Sequence, residues 1–382
     1  MDNSELFKIF QKKYNVEIGK FLGRGGFGEV REIISSKGKI YAGKLVKKKI
    51  RRGNDKANQR GKGSGSGNGS ESEEEENIIL FLKSPNIVKI HKIYEEKINK
   101  NGQEEIYELV VMEKAVLKDL KTFIKSIYNQ NICNLIYDPF KEVIGDSLLK
   151  FLTRQIIKGL ELFERNEFIH FDIKPENILI FLELYLKITD FGLLRDVSQL
   201  NKIRIPGGTP GYLSPEYYQN YRFRVPINIA KKQDYFALGA TIFLLKYGKQ
   251  MIKIKINKTN KSEENKLSQQ FIIDLIHKNI TYIKSDKIAD KDFVNFLCSL
   301  IQIFPDDRPC FEEIYRNKWI NRNISYIQKV FIGFRDDEQK LIVELRKNDY
   351  LMEKKNEFEI NNTPRKKFYF RKKNKNKIVK LK

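Results

Sequence analysis

Four polar residues lie close together in one stretch of the chain and could together act on a phosphate group. Asp172 offers a carboxylate that could serve as a base, and Lys174 offers a cation for phosphate. Asn177 and Asp190 offer an amide and a carboxylate oxygen, the kinds of ligand that suit a hard cation such as Mg²⁺. The stretch from His170 to Gly192 therefore predicts a site that combines a base, a positive charge and a metal ion.

Two short apolar runs between Asn177 and Asp190 indicate how these side chains are positioned. Residues 178–182 and 184–188 each have the length and composition of a β-strand. Two strands joined by a short turn form a hairpin whose open end carries both flanking residues. The sequence thus predicts that Asn177 and Asp190 lie side by side.

A glycine-rich segment near the N-terminus predicts a phosphate-binding loop. It reads Gly23-Arg24-Gly25-Gly26-Phe27-Gly28-Glu29-Val30, between β-like segments at 17–22 and 29–34. Glycine lets backbone N–H groups approach a phosphate closely. Ordinary glycine-rich turns and dinucleotide-binding sites give the same pattern, but a dinucleotide fold needs a helix directly after the glycines. A strand follows here, so a strand–turn–strand loop is predicted.

Lys44 lies inside the apolar strand 40–46, where an unpaired charge is costly. It either reaches water from an edge strand or is paired with an acidic side chain. Residues 47–72 turn basic and then rich in Gly and Ser, which is typical of a flexible insertion. A helix with acidic residues at its start is predicted at 73–82, and one of those residues is expected to pair with Lys44.

Strand patterns end near residue 112 and helical patterns follow. The sequence therefore predicts a β-rich N-terminal part and an α-rich C-terminal part, joined by a connector at 113–117. Further strands are expected at 87–94 and 106–112. Helices are expected at 120–128, 148–165, 234–247, 268–278, 290–304, 311–317 and 337–347.

The composition is that of a globular protein, with 41% hydrophobic residues and a formal net charge of +23. A lysine-rich surface is the simpler explanation of this charge, and attraction to acidic partners, ATP or nucleic acid is the alternative. Cys133, Cys298 and Cys310 lack metal-ligand spacing and are expected to be reduced, in a cytoplasmic or nuclear protein. Neither a secretory signal nor a transmembrane segment is expected.

Taken together, these residues resemble a eukaryotic protein kinase of the serine/threonine type, over about residues 14–320. The resemblance implies a bilobal α+β fold: a small antiparallel β-sheet N-lobe with one main helix, and a larger, mostly α-helical C-lobe. It divides the chain into an N-terminal lead, an N-lobe with a flexible insertion, a hinge, a C-lobe, a helical C-terminal extension and a basic tail. Their bounds are 1–13, 14–112 with the insertion at 47–72, 113–117, 118–320, 321–360 and 361–382.

The resemblance implies a catalytic role for four residues. Asp172 would orient the hydroxyl group of the substrate and accept its proton, while Lys174 would stabilise the transferring phosphoryl group. Lys44 would contact the phosphates of ATP and pair with Glu75, for which the glutamates on either side are alternatives. The Asp-x-Lys spacing favours serine and threonine over tyrosine as the accepting residue.

The resemblance also implies that ATP and Mg²⁺ bind here, with Mn²⁺ as an alternative cation. Asn177 and Asp190 would hold the metal ion. The residues expected around ATP are Gly23, Gly25, Gly26, Phe27, Gly28, Val30, Ala42, Lys44, Met112 as the gatekeeper, Glu113 and Ala115 in the hinge, Asp119 near the ribose, and Leu179.

Structural roles follow from the same resemblance. Glu216 is expected to form a buried ion pair with Arg308, and Asp234 to anchor the backbone of the loop that carries Asp172. Thr209 is expected to touch Asp172 and Lys174. A hydrophobic column that joins the lobes is expected to consist of His170, Phe191, Ile79 and Ile90.

One position departs from the family pattern. Phe171 stands where the family has an arginine that binds the phosphorylated activation loop. Without this charge-assisted partner, we expect activity that does not depend on phosphorylation of that loop. A substitute anchor formed by Arg195, Lys202 and Arg204 is the alternative.

Three classes of function are compatible with the sequence: a protein serine/threonine kinase that acts on Ser and Thr residues of proteins, a pseudokinase or ATP-binding regulatory scaffold, and a nucleic-acid-binding protein. The presence of Lys44, Asp172, Asn177 and Asp190 favours the kinase. For the basic tail at 361–382 the alternatives are a solvated segment, nuclear targeting, an acidic protein or nucleic-acid partner, and a calmodulin-like partner or acidic membrane surface.

Overall fold

The computed structural model describes residues 2–25, 28–48, 84–100, 103–128, 144–220, 224–253, 269–323, 330–334 and 337–343. A five-stranded sheet forms the N-terminal part and mostly helices form the rest, which confirms the predicted α+β arrangement. Within these ranges no helix has the length and apolar character needed to cross a bilayer. Most of the predicted insertion, the helix at 73–82 and the basic tail at 361–382 lie outside the described residues.

The N-lobe sheet is antiparallel and has five strands: β1 (Glu17–Gly25), β2 (Gly28–Ile34), β3 (Ile40–Lys48), β4 (Ile90–Lys100) and β5 (Gln103–Met112). They lie in the order β1-β2-β3-β5-β4. Lys47 and Lys48, assigned to the flexible insertion from sequence, instead belong to β3 and pair with β5. The predicted strand at 87–94 begins only at Ile90, because Val88 donates its N–H to the carbonyl of Ile188 in the C-lobe.

Helix α1 (Asn3–Tyr14) covers the outer face of this sheet, in a region that the sequence analysis describes only as a lead. The side chain of Asp2 caps its first turn and Glu5 completes a capping box. Its buried face carries Leu6, Phe7 and Phe10, which pack on Ile33, Leu45, Leu109 and Val111. The N-lobe sheet is thus buried on its outer face as well as on the face toward the C-lobe.

The C-lobe is organised around the helix Ile227–Tyr247, α5, whose Phe236 and Phe243 are fully buried in the largest apolar cluster. This helix begins at Ile227, before the predicted start at Asp234. The helices are α2 (Leu120–Tyr128), α3 (Asp146–Arg165), α4 (Pro215–Asn220), α5 (Ile227–Tyr247), α6 (Gln269–Lys284), α7 (Lys291–Leu300), α8 (Phe311–Tyr315) and α9 (Lys318–Asn321). The short strands are β6 (Phe168–Ile169), β7 (Ile178–Ile180), β8 (Leu186–Ile188), β9 (Arg195–Asp196), β10 (Lys202–Ile203) and β11 (Val225–Pro226).

Residues 330–343 of the C-terminal extension form a β-hairpin in their described part, so the predicted helix at 337–347 is wrong over 337–343, and 344–347 lie outside the described residues. Strand β12 (Val330–Phe334) pairs with β13 (Asp337–Val343) in antiparallel register. The apolar segment that forms β12 lies next to residues 337–343 in sequence, and pairing with it outweighs their helical pattern. The hairpin lies against α2 and against the 3₁₀ turn Leu182–Leu184.

Candidate active site

The loop after β6 is held in an unusual backbone conformation by the buried helix α5. Phe171 has φ of 63°, in the left-handed region that non-glycine residues rarely adopt. The carboxylate of Asp234 accepts the N–H of His170 at 2.7 Å and that of Phe171 at 2.9 Å. Burial raises the pKa of Asp234 to about 7, against the lowering effect of these two hydrogen bonds. Asp234 thus anchors the loop, as predicted.

Asp172 lies at the centre of a closed set of hydrogen bonds. The ammonium group of Lys174 contacts Asp172 Oδ2 at 2.6 Å, and Thr209 donates its hydroxyl to Asp172 Oδ1 at 2.7 Å. Lys174 also reaches Thr209 Oγ1 at 2.5 Å. The amide of Asn177 donates to the backbone carbonyl and to Oδ2 of Asp172, both at 2.8 Å. The carboxylate is therefore fixed in position beside a cation and a hydroxyl group.

The predicted hairpin is present and brings its two flanking polar residues together. Strand β7 pairs with β8, and Thr189 donates its N–H to the carbonyl of Asn177 at 2.9 Å. The amide oxygen of Asn177 is turned away from Asp172, because its nitrogen makes the bonds to that residue. Asp190 has φ of 65°, a second strained backbone of the kind that clusters at functional sites. The hairpin thus places Asn177 and Asp190, the two residues predicted to hold a hard cation, together at its open end.

Lys44 lies between the lobes and forms an ion pair with Asp190, with 2.7 Å between Nζ and Oδ1. Both side chains are mostly buried, and β3 lies between β2 and β5 in the sheet, so Lys44 is paired and is not an edge-strand lysine. The partner observed, Asp190, is not the helix glutamate that was predicted. Glu75, the predicted partner from the N-lobe helix, lies outside the described residues, as do Glu74 and Glu76. Its pairing with Lys44 stays a prediction.

Four of the residues expected around ATP form one apolar cluster between the lobes. Ala42 and Met112 are buried in it, and Val30 and Leu179 pack against them. The cluster also contains Val88, Val110 and Phe181, which sequence analysis missed because each lies in a strand or turn without a motif. In the hinge, Glu113 uses its N–H to bind the carbonyl of Lys89 at 3.0 Å and its carboxylate to bind Lys187 at 2.7 Å.

The glycine-rich loop keeps its strand pairing up to the turn, where Gly25 faces Gly28. Gly28 has φ of 154°, and a Cβ there would lie 1.9 Å from the carbonyl oxygen of Leu45. Only glycine fits at that position. A Cβ on Gly23 or Gly25 would meet nothing within 4 Å, so open space borders these two glycines. Gly26 and Phe27 lie outside the described residues.

Three aromatic rings form part of the hydrophobic column that was predicted to join the lobes. The ring of His170 lies 5.9 Å from that of Phe191 and 5.6 Å from that of Phe163. Ile90 packs against the C-lobe core, while Ile79 lies outside the described residues. Phe163, on helix α3, carries no motif and was not predicted.

Phe171, which stands where the family has an arginine, is buried in an apolar cluster. Its partners come from the activation segment, which is the part of the chain between Asp190 and α4, and from β6, β11 and α5. They are Ile169, Val197, Ile203, Ile205, Val225 and Ala230. The segment that follows Asp190 is therefore packed onto the catalytic loop by apolar contacts.

Glu216 and Arg308 form the predicted ion pair, with two parallel hydrogen bonds of 2.7 Å. Both side chains are buried in the C-lobe. The pair fixes the start of α4, just after the loop that carries Thr209.

Comparison with known proteins agrees with this geometry. A model of the protein kinase domain matches residues 16–320. The chain is similar to Serine/threonine-protein kinase 17A of Oryctolagus cuniculus, with 26% identity over 319 residues that cover 82% of this chain and 68% of that protein.

Two further relatives cover less of their own length. Serine/threonine-protein kinase plk-2 of Caenorhabditis elegans is 26% identical over 239 residues, which are 62% of this chain and 32% of that protein. The probable serine/threonine-protein kinase fhkE of Dictyostelium discoideum is 29% identical over 243 residues, which are 60% and 28%. The chain thus spans less than a third of either relative. With the domain match over most of its length, the chain belongs to the eukaryotic protein kinase family, serine/threonine type.

Proposed function

We propose that this chain transfers the γ-phosphoryl group of Mg-ATP to serine or threonine hydroxyls of protein substrates. The observation that carries the proposal is the closed arrangement of Asp172, Lys174 and Thr209 beside the ligand pair Asn177 and Asp190. These five side chains supply, on the C-lobe side, a carboxylate, a cation, a hydroxyl group and two oxygen ligands, and the hydrogen bonds among them support the proposal.

The chemistry assigned to each residue follows from its surroundings. A hydroxyl group of the substrate that replaces Thr209 at Asp172 Oδ1 would be oriented for attack and could give its proton to the carboxylate. Lys174 places a positive charge next to the position of the Thr209 hydroxyl oxygen and would stabilise negative charge on the transferring phosphoryl group. Positioning and charge stabilisation are the main contributions that a protein makes to phosphoryl transfer.

The donor atoms at the open end of the hairpin fit a magnesium ion. Mg²⁺ prefers oxygen ligands and commonly takes one or two from protein, with phosphate oxygens and water completing its shell. Asn177 offers an amide oxygen and Asp190 a carboxylate, next to Lys44. When bound there, Mg²⁺ supplies positive charge against the phosphates of ATP.

The decisive experiment is phosphoryl transfer from labelled ATP to a peptide library. Asp190→Asn is the matched control, since it keeps the size of the side chain and removes its charge. We expect label on serine and threonine with the parent chain and a loss of at least about 10²-fold with the variant. Transfer no higher than that of the variant would contradict the enzyme and leave the pseudokinase or scaffold. Label on tyrosine would contradict the serine/threonine assignment.

We further propose that this activity does not need phosphate on the activation segment. The apolar cluster around Phe171 supports this, because it can hold the segment against the catalytic loop without a phosphate. Thr209 is hydrogen-bonded to Asp172 and Lys174. A phosphate group on Thr209 would therefore place a charge of about −2 next to the Asp172 carboxylate, which would repel it. Ser198, the other candidate for phosphorylation in this segment, is exposed in the turn that follows β9.

Phosphatase treatment tests the second proposal. We expect treated and untreated enzyme to have equal activity, and Ser198→Ala to behave like the parent. Loss of most activity on treatment, with recovery when Ser198 or Thr209 is phosphorylated again, would contradict it.

A further inference from the structure

We propose that helix α1 is a positioning element for nucleotide binding, which acts through Asn3 and Glu29 on the glycine-rich loop (Gly23–Val30). The inference rests on the proposed function only in that the loop covers a nucleotide. It assigns a role in the site to a helix that lies on the opposite face of the N-lobe sheet.

Glu29 is the connecting group. Its side chain is buried, and its Oε2 atom accepts a hydrogen bond from the amide of Asn3 at 3.2 Å. The same carboxylate accepts from Arg31 at 2.7 Å and from Arg24 at 3.4 Å. Burial acts to raise the pKa of Glu29, but the hydrogen bonds from Arg31 and Asn3 outweigh it and keep the pKa below its usual value.

The place of Glu29 in the sheet gives this network its consequence. Glu29 faces Arg24 across β1 and β2, directly before the pair of Gly25 and Gly28 that opens the turn. One carboxylate therefore ties the first turn of α1 to both strands of the loop. Arg31 adds a second tie, because its guanidinium lies 5.4 Å from the ring of Phe7 on α1.

The helix cannot shift freely on the sheet, so the tie has a rigid support. Phe10 is fully buried against the outer face. At the other end of the helix, Lys13 contacts Glu96 at 2.8 Å and Tyr14 donates to the carbonyl of Glu95 at 2.9 Å, both on β4. The helix thus spans the sheet from β2 to β4, and its two ends can be perturbed separately.

An ordered loop binds a ligand more tightly because less conformational freedom is lost on binding. Removing the Asn3 amide should loosen the loop and weaken nucleotide binding. The chemical step should be unaffected once the site is saturated, since no reacting group has changed. Such a loss appears in KM for ATP and not in kcat.

The test uses the full chain with Asn3→Ala, and with Asn3→Asp, which sets a second carboxylate against Glu29. The controls on the same helix are Lys8→Ala and Lys12→Ala, two exposed residues that play no part in the contacts with the sheet described above. Mg-ATP binding is measured by calorimetry, KM and kcat by peptide phosphorylation, and loop protection by hydrogen exchange of peptides covering 23–30.

We expect Asn3→Ala to weaken Mg-ATP binding about three- to tenfold, which corresponds to part of the free energy of a hydrogen bond to a charged group. We expect Asn3→Asp to weaken binding further, because the new carboxylate repels Glu29. Loop amides should exchange faster in both variants, while both controls stay within about twofold of the parent, in the range of surface substitutions. Parent-like affinity and loop exchange in both Asn3 variants would overturn the inference, as would equal losses in the controls. If the chain binds Mg-ATP but transfers no phosphoryl group, the proposed function is contradicted. The inference about α1 is still decided in that case, by the nucleotide affinities and the hydrogen-exchange rates.

Discussion

The hydrogen bonds of His170 are compatible only with its neutral ring. Nδ1 accepts the N–H of Asp172 at 3.2 Å, which leaves Nε2 to donate to the carbonyl of Thr189 at 3.1 Å. A proton on Nδ1 would place two N–H groups against each other. Burial lowers the pKa of His170 below its usual value, although the carboxylates of Asp172 and Asp190 act in the opposite direction.

We therefore predict that His170 stays neutral in the folded chain at pH values where a free histidine is protonated. The unfolded chain takes up this proton near pH 6.5 and the folded chain does not. The contribution to stability is thus present above about pH 6.5 and is lost as the pH falls toward the folded-state pKa.

An NMR titration of the ring protons can test this directly, because the sequence has three histidines. His91→Asn and His277→Asn, both at exposed positions, identify the remaining resonance. A midpoint near 6.5 for His170 would contradict the prediction, as would a free energy of unfolding that does not fall on mild acidification.

At the residue scale, the sequence predicted that the polar residues between His170 and Gly192 lie together in the fold, and they do. Asp172, Lys174, Asn177 and Asp190 follow one another within a short segment, so local order is enough to place them together. The surroundings of Phe171 could not be predicted, because its apolar partners lie up to Ala230 in the chain. Only the folded chain shows that an apolar cluster stands where the arginine was expected.

At the scale of elements, β3 contains a glycine, Gly43, that strand propensity does not explain and that packing does. Gly43 precedes Lys44 in β3, where a β-branched residue would give better strand propensity. In the structure, a Cβ on Gly43 would lie 2.3 Å from Ile33 Cγ1 and 3.1 Å from Leu109 Cδ1. The glycine makes room for Ile33 to pack below α1.

We predict that Gly43→Ala lowers the free energy of unfolding by about 1–3 kcal/mol, the usual effect of adding an atom to a well-packed core. The loss should be smaller in an Ile33→Ala background, because that change removes the atoms that the new methyl group meets. Gly25→Ala is the control, since nothing lies within 4 Å of its added Cβ. Urea unfolding that gives the same loss in both backgrounds would contradict this packing argument.

The elements themselves were predictable where their pattern is local. Strands β1, β2, β3 and β5 and the helices α2 and α3 have clear periodicity and were predicted within about three residues of their observed bounds, whereas β4 begins later and ends six residues later than predicted. Helix α1 was missed although Leu6, Phe7 and Phe10 have helical spacing, because its stability comes from a sheet face formed much later in the chain. The pairing of β12 with β13 is likewise a contact that residues 337–343 do not encode alone.

At the scale of the whole molecule, Arg308 connects several separate segments of the C-lobe. Besides Glu216, its guanidinium donates to the carbonyls of Gln302 at 2.8 Å and Ile303 at 3.1 Å. It also lies over the ring of Phe236, with 5.0 Å to the centroid. The fully buried charge is stabilised by one carboxylate, by carbonyl groups and by an aromatic face. The resemblance predicted the pair itself, and folding alone revealed its other partners.

We predict that Arg308→Lys lowers the free energy of unfolding by about 1–3 kcal/mol, the cost of leaving buried hydrogen-bonding groups without a partner. Lysine keeps the charge but cannot form two parallel hydrogen bonds with Glu216, and it leaves buried carbonyl groups unpaired. Arg316→Lys is the matched control: its pair with Glu312 is largely exposed, so a change within about 0.5 kcal/mol is expected.

The single tryptophan of the sequence, Trp319, provides the measurement. It is fully buried in the C-lobe, where its ring lies 5.6 Å from that of Phe296, so its fluorescence reports unfolding of this lobe. In urea, the fluorescence transition of Arg308→Lys should move to a lower concentration than that of Arg316→Lys. Circular dichroism, which reports all helices and strands, should shift with it if both lobes unfold as one unit. Coincident transitions of the two variants would show that the ion pair does not hold the C-lobe together, whereas a shift in circular dichroism without one in fluorescence would place the damage outside the surroundings of Trp319.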